Sequence, residues 1–108
     1  MSRFVAAVAG MIILSVSTPS VALSTLGDMA CPKWTSNRAD AASALRSRSW
    51  LVGYMTGLAV ASQTDVLRDA DAESIALWMD NYCRTHPLDT VATSGMVLFL
   101  ELRDRLPK

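Results

Sequence analysis

Two stretches decide how this chain folds: Trp50-Leu-Val-Gly53-Tyr54-Met-Thr-Gly57 and, after a charged break, Trp78-Met-Asp-Asn-Tyr82-Cys83-Arg-Thr-His86-Pro87. In the first, Trp50, Gly53, Tyr54, Gly57, Leu58 and Ala61 fall at i, i+3, i+4, i+7, i+8 and i+11, the spacing of one helix face. In the second, Ile75, Trp78, Met79, Tyr82 and Cys83 mark a buried helical stripe, with Asp80, Asn81 and Arg84 expected on the wet side. His86-Pro87 ends that helix, because a residue before proline avoids the helical region. The second stretch therefore closes on Cys83, and the only other cysteine, Cys31, lies ahead of both.

Glycine inside a helix is about 1 kcal/mol worse than alanine, so Gly53 and Gly57 call for a compensation. The simplest is close approach of another helix, or of Trp78, over the bare backbone. A membrane reading of the small-x-x-x-small pattern fails, because the apolar run is short and broken by Ser, Thr and Gln63.

Outward from this unit, Leu23 to Trp34 shows no period and reads as an irregular arm tethered by Cys31. Ser36 or Asn37 is expected to cap a helix over Arg38–Ser47 that runs on toward Trp50, with a bend near Ser47–Ser49. Gln63–Ala70 is the connection, with a turn of helix at Asp65–Arg68. Asp69 or Asp71 caps the next helix, and Glu73 adds favourable charge in its first turn. Asp89 caps a last helix opening at Thr90. Its apolar seam is Val91, Gly95, Leu98, Phe99, Leu102 and Leu106, with Glu101, Arg103, Asp104 and Arg105 facing water. No strand alternates cleanly. The expected fold is all-α: a small bundle of three to four helices with one disulfide.

The first 22 positions follow the grammar of an export signal: Arg3, an apolar run of 11 residues from Phe4 to Leu14, and a small-residue approach with Ser20 and Ala22 at the −3 and −1 positions. The run is too short to span a bilayer, which takes about 20 apolar residues. A cleaved signal at 1–22, a single domain at 23–108 and a periplasmic location are expected, with no stable membrane insertion after cleavage. Two cysteines in a short exported chain imply one bridge, Cys31–Cys83. Lipidation of Cys31 is disfavoured, because Asp28-Met29-Ala30 lacks the apolar residue a lipoprotein signal wants.

Charge and composition then exclude function classes. Without Arg3, nine Lys or Arg stand against ten Asp or Glu, a net charge of −1. That is not the footprint of an ordinary basic nucleic-acid binder. His86 is the only histidine, so with both cysteines bridged no zinc set remains, and no cofactor is expected. His86 reads as a helix-end residue, and the acidic stretch Asp65–Glu73 as a solvated loop and cap. No Gly-rich phosphate loop and no activated nucleophile are evident, so no enzyme is expected. Of the aromatic residues, Trp50, Trp78 and Tyr82 read as core, and Trp34 is left open. The set Trp50, Gly53, Tyr54, Gly57, Trp78 and Tyr82 is either helix packing or a surface for a client or partner.

The order Cys31, Trp50-Leu-Val-Gly53-Tyr54, Trp78…Tyr82-Cys83-Arg-Thr-His86-Pro87 and an apolar final helix resembles the HdeA/HdeB-type family of small periplasmic acid-stress proteins. That resemblance spans roughly Cys31 to Leu102. It implies an all-α domain with one disulfide and a chaperone that loosens in acid and holds unfolding clients on the seams Trp50–Ala61 and Val91–Leu106. A weaker resemblance is to Rap1a-type secreted immunity proteins, which implies a binder that neutralises a toxin or enzyme. A protein partner, unfolded clients or a second copy of the chain are the partners these readings imply. A small exported domain with neither activity is the third.

Overall fold

The structure, a computed structural model, describes residues 9–15 and 23–108. Most of the expected export signal, including Ser20 and Ala22, lies outside them. Among the described residues, no helix is long and apolar enough to cross a membrane.

Four helices form: α1 (Cys31–Asn37), α2 (Ala41–Ser62), α3 (Ala72–Thr85) and α4 (Val91–Asp104). The described residues contain no strand, so the fold is an all-α bundle. Each long helix starts where a side-chain oxygen satisfies the free N–H groups of its first turn. Asp40 accepts from Ser43 N at 2.9 Å at the head of α2. Asp71 accepts from Ser74 N at 2.7 Å, and Ser74 accepts in return from Asp71 N, closing a capping box. Thr90 and Thr93 make the same reciprocal pair at α4. α2 stops at Gln63, which takes a left-handed φ of 52°. α3 stops at His86, ahead of Pro87.

Three expected boundaries shift. Cys31–Asn37, read partly as irregular arm, is helical, with Pro32 supplying the fixed φ that suits a first turn. The next helix is capped by Asp40 rather than Ser36 or Asn37, and it runs through Ser47–Ser49 without a break. Ser36 and Asn37 are occupied elsewhere: Ser36 Oγ donates back to Lys33 O, and the Asn37 amide donates to Ser47 Oγ at 2.9 Å. Thr90, not Asp89, caps α4. The Asp89 carboxylate instead accepts from the Tyr82 hydroxyl.

The core gathers Trp34 from α1, Leu51 and Met55 from α2, Ile75, Ala76 and Met79 from α3, and Val91, Leu98 and Phe99 from α4. Val66, in the connection, closes one end. The arm is sewn onto the head of α4. Cys31 N donates to Asp89 O and Val91 N donates to Met29 O, at 2.9 and 2.8 Å, flanking an antiparallel bridge between Ala30 and Thr90.

The buried face of α2 differs from the expected one by a single residue. Ser47, Leu51 and Met55 face the core, and Trp50 and Tyr54 flank it. One residue turns a helix face by about 100°. Gly53 and Gly57 are carried outward, and a Cβ at either would meet no atom within 4 Å. The close approach expected there occurs at Gly95 on α4, where a Cβ would sit 2.8 Å from Tyr54 Cε1 and 3.5 Å from Met55 Sδ. Gly95→Ala is therefore expected to overpack the α2–α4 contact and destabilise by about 1–3 kcal/mol. Gly53→Ala and Gly57→Ala should each stabilise by up to about 1 kcal/mol. Thermal unfolding of the three variants checks this, at roughly 4–8 °C per kcal/mol.

Candidate functional site

The bridge between Cys31 and Cys83 joins the first residue of α1 to the last turn of α3, with Cα atoms 4.9 Å apart and the two residues 52 positions apart in sequence. Closing a loop of that length stabilises by roughly 4 kcal/mol in the chain-entropy model. Both cysteines are buried, and Cys31 Sγ lies 3.8 Å from Ser94 Oγ of α4. One covalent link thus sits where the arm, α1, α3 and α4 meet.

Beside it lies a polar hub centred on Asp80. Its Oδ1 accepts from the Trp34 indole N–H at 2.7 Å, and Arg38 Nε lies within 3.0 and 3.2 Å of its two oxygens. The Arg38 guanidinium also stands 5.8 Å from the Trp34 ring centre, within cation–π range. Arg38 continues to Glu73 at 3.6 Å, and Glu73 pairs with Arg48 of α2 at 3.0 Å. One chain of charge therefore ties α1, α2 and α3. Asp80 is not on the wet side as expected. It is half-buried, and Trp34, left open on sequence grounds, is the largest fully buried side chain.

Two further carboxylates clamp other interfaces. Asp28 in the arm accepts from Ala92 N at 2.8 Å, in the first turn of α4, where negative charge is favoured. Glu101, expected to face water, accepts from the Trp78 indole N–H at 3.1 Å and joins α3 to α4.

The aromatic residues form two separate stacks. Trp50 and Tyr54 stack along α2 at 5.2 Å, and the Trp50 indole N–H donates to Leu26 O of the arm. Trp78, Tyr82 and His86 stack along α3, with centroid spacings of 4.9 and 3.8 Å. Tyr54 rests on Gly95 and Trp78 on Glu101, positions about a third of a turn apart around α4. The six residues read as one set are thus divided between two flanks, and Trp50, Trp78 and Tyr82 are partly rather than fully buried. Burial, and then the bond to Asp89, raise the Tyr82 hydroxyl above its ordinary value. Burial also raises Tyr54. His86 Nδ1 lies 2.8 Å from Tyr82 O, a local helix-end contact.

Compared with protein-family models, curated proteins and solved structures, the chain matches none.

Sequence reading misplaced Asp80, although a signal was present. Asp80 lies three residues before Cys83, so once Cys83 faces Cys31, Asp80 shares that face. The part played by Asp28 had no such signal, since it depends on the arm folding back over α4.

These contacts give two expected outcomes. Asp80→Ala strips the acceptor from a buried indole N–H and should destabilise by about 1–3 kcal/mol. Asp80→Asn keeps an acceptor, loses only the ion pair, and should change stability by about 0–1 kcal/mol; urea unfolding of both variants checks the contrast. The second outcome concerns acid. The backbone and then the hydroxyl of Ser74 hold the Asp71 carboxyl below its ordinary 3.8. The hydroxyl and then the backbone of Ser43 do the same for Asp40. Depressed carboxyls contribute stability that is present above the unfolded-state value and lost as pH falls through the folded one. Asp40→Asn with Asp71→Asn retains both caps without their titration. The double variant should show a shallower loss of stability below about pH 4 than the parent, by urea unfolding across pH.

Proposed function

We propose that this protein is an exported, disulfide-stapled chaperone that loosens in acid and holds unfolding proteins. One observation supports the reading above the rest. Most side-chain hydrogen bonds joining one element to another end on a carboxylate: Asp28 to α4, Asp80 to α1, Glu73 to α2, Asp89 to Tyr82 and Glu101 to Trp78. The polar exceptions are Asn37 with Ser47, Trp50 with a backbone oxygen, and contacts to sulfur.

At pH 2–3 carboxyls in the ordinary range near 4 are protonated. Arg38 and Arg48 then lose their counter-charge, and the capping carboxylates Asp40 and Asp71, held below the ordinary value by Ser43 and Ser74, follow at lower pH. With nine Lys or Arg and His86, residues 23–108 approach a charge of about +10. Self-repulsion pushes the helices apart just as the groups that clamp them let go. The disulfide does not titrate, so α1 and α3 stay joined. Loosening of this kind uncovers the apolar seams around Leu51 and Met55 on α2 and Val91 to Phe99 on α4, surfaces suited to an unfolding client. The similarity to HdeA/HdeB-type proteins and the buried bridge, which suits an oxidising compartment such as the periplasm, both fit this reading.

The second reading is a binder acting at neutral pH, of the immunity or inhibitor kind. It is favoured by the faces of Trp50, Gly53, Tyr54 and Gly57 that already meet solvent in the folded state.

The deciding measurement is light scattering of an acid-unfolded client in the presence of the oxidised protein. Aggregation is expected to be suppressed at pH 2.5 and untouched at pH 7, with near-ultraviolet circular dichroism collapsing over the same range. No suppression, or an unaltered tertiary signal at pH 2.5, sinks the proposal. Glu73→Gln with Asp80→Asn removes one clamp in advance and should move the loosening midpoint to higher pH.

A further inference from the structure

We infer that the folded protein carries a docking surface for an acidic segment of a partner protein, built from two adjoining clefts that share Trp50. The inference goes beyond the acid response, because it concerns the intact fold at neutral pH. The first cleft, about 370 Å³, lies between the arm, α1 and α2 and is lined in part by Lys33, Arg46, Asn37, Ser43 and Trp50. Its lining includes two cations and no carboxylate. That is a local reversal, since residues 23–108 carry a net charge of −1. Among the described residues, Lys33 and Arg46, like Arg68, Arg84 and Lys108, take part in no ion pair, but only Lys33 and Arg46 line this cleft together. The charge of Arg46 is felt at Asp40, but the Asp40 side chain is engaged by Ser43 as the cap of α2 and is not part of the lining.

The second cleft, about 340 Å³, shares Trp50 with the first and is lined also by Leu26, Gly53 and Tyr54. It too contains no carboxylate. Gly53 gives it a bare floor, since nothing stands within 4 Å of where a Cβ would be. The shared wall is held in place. The Trp50 indole N–H donates to Leu26 O at 2.9 Å, and Gly27, at φ +83°, lets the arm pass so close that a Cβ there would collide with the indole. Stacking on Tyr54 fixes the ring from the other side.

The occupant is defined by charge complementarity and shape. A carboxylate side chain of the partner meets Lys33 and Arg46, and an apolar side chain one or two residues away lies on Gly53 against Trp50 and Tyr54. A fixed aromatic wall beside unpaired cations is the composition of an interface anchor, and complementary charge steers encounter and orients the bound segment.

The test uses the oxidised protein at pH 7 and the blocked peptide acetyl-Gly-Asp-Leu-Glu-Leu-Gly-amide, followed by amide and indole NMR shifts. A saturable shift of the Trp50 indole N–H is expected at about millimolar peptide or below. Lys33→Gln with Arg46→Gln should weaken binding at least about tenfold, and so should replacing the two peptide acids by Asn and Gln. Gly53→Leu, which enters open space and leaves the core untouched, should weaken binding of the peptide while sparing that of inorganic phosphate. The proposal is overturned if Trp50 does not respond, or if the acidic and amide peptides bind alike. It is equally overturned if phosphate or oligo-thymidylate reproduces the shift as tightly as the peptide, which would leave a simple anion site. Failure here leaves the acid-loosening result at pH 2.5 unaffected, so the two readings fall separately.

Discussion

The bond between Cys31 and Cys83 is the constraint on which the rest of the structure rests. α1 is only seven residues long, too short to hold itself together as an isolated helix in water. It persists because its first residue is tied to α3, its Trp34 is buried, and its last turn is clamped through Arg38. The same tie delivers the arm to the head of α4, where two backbone hydrogen bonds and the Asp28 carboxylate finish the first turn. Without the bridge, the arm and α1 would have to be ordered by a small core alone, and small domains have little surplus stability.

Around that link, the helices are held by two kinds of contact with different sensitivities. Apolar packing of Leu51, Met55, Met79 and Leu98 responds weakly to pH. The polar clamps are mostly carboxylates accepting from N–H or O–H donors, and they fix direction and register where apolar packing does not. The indoles of Trp34, buried, and Trp78, half-buried, depend on these carboxylates, because each indole offers a donor and no acceptor. A molecule held in this way is joined by one covalent link and by several carboxylate contacts spread over all four helices. The cleft at Lys33 and Arg46 departs from this pattern, with two cations and no carboxylate in its lining.

The glycines show how far a shift of one residue around a helix matters. Gly53 and Gly57 were the conspicuous pair, yet the helix turns them to open space. Gly95, a single residue in an apolar seam, is where α4 leaves no room for a Cβ against Tyr54 of α2. The difference arises because Leu51 and Met55 outweigh Trp50 and Tyr54 for the centre of the interface. They are narrower, fully aliphatic or thioether side chains, and the aromatic pair fits better at the margin, where the indole N–H finds the carbonyl of Leu26.

By itself the sequence determined the helical class, the end of α3 at His86, its start to within Asp69 or Asp71, and the single bridge. Those features follow from local chemistry: period, capping oxygens, proline geometry and a count of two sulfurs. Only the tertiary structure decided that α1 exists, that Trp34 and Asp80 meet, that Asp28 serves α4, and that the aromatic residues form two stacks instead of one surface. The contacts that decide this, Trp34 to Asp80, Asp28 to Ala92 and Trp78 to Glu101, join residues from 23 to 64 positions apart, whereas each aromatic stack itself is an i,i+4 contact along one helix. Pattern along one helix carries no information about which neighbour will lie across from it.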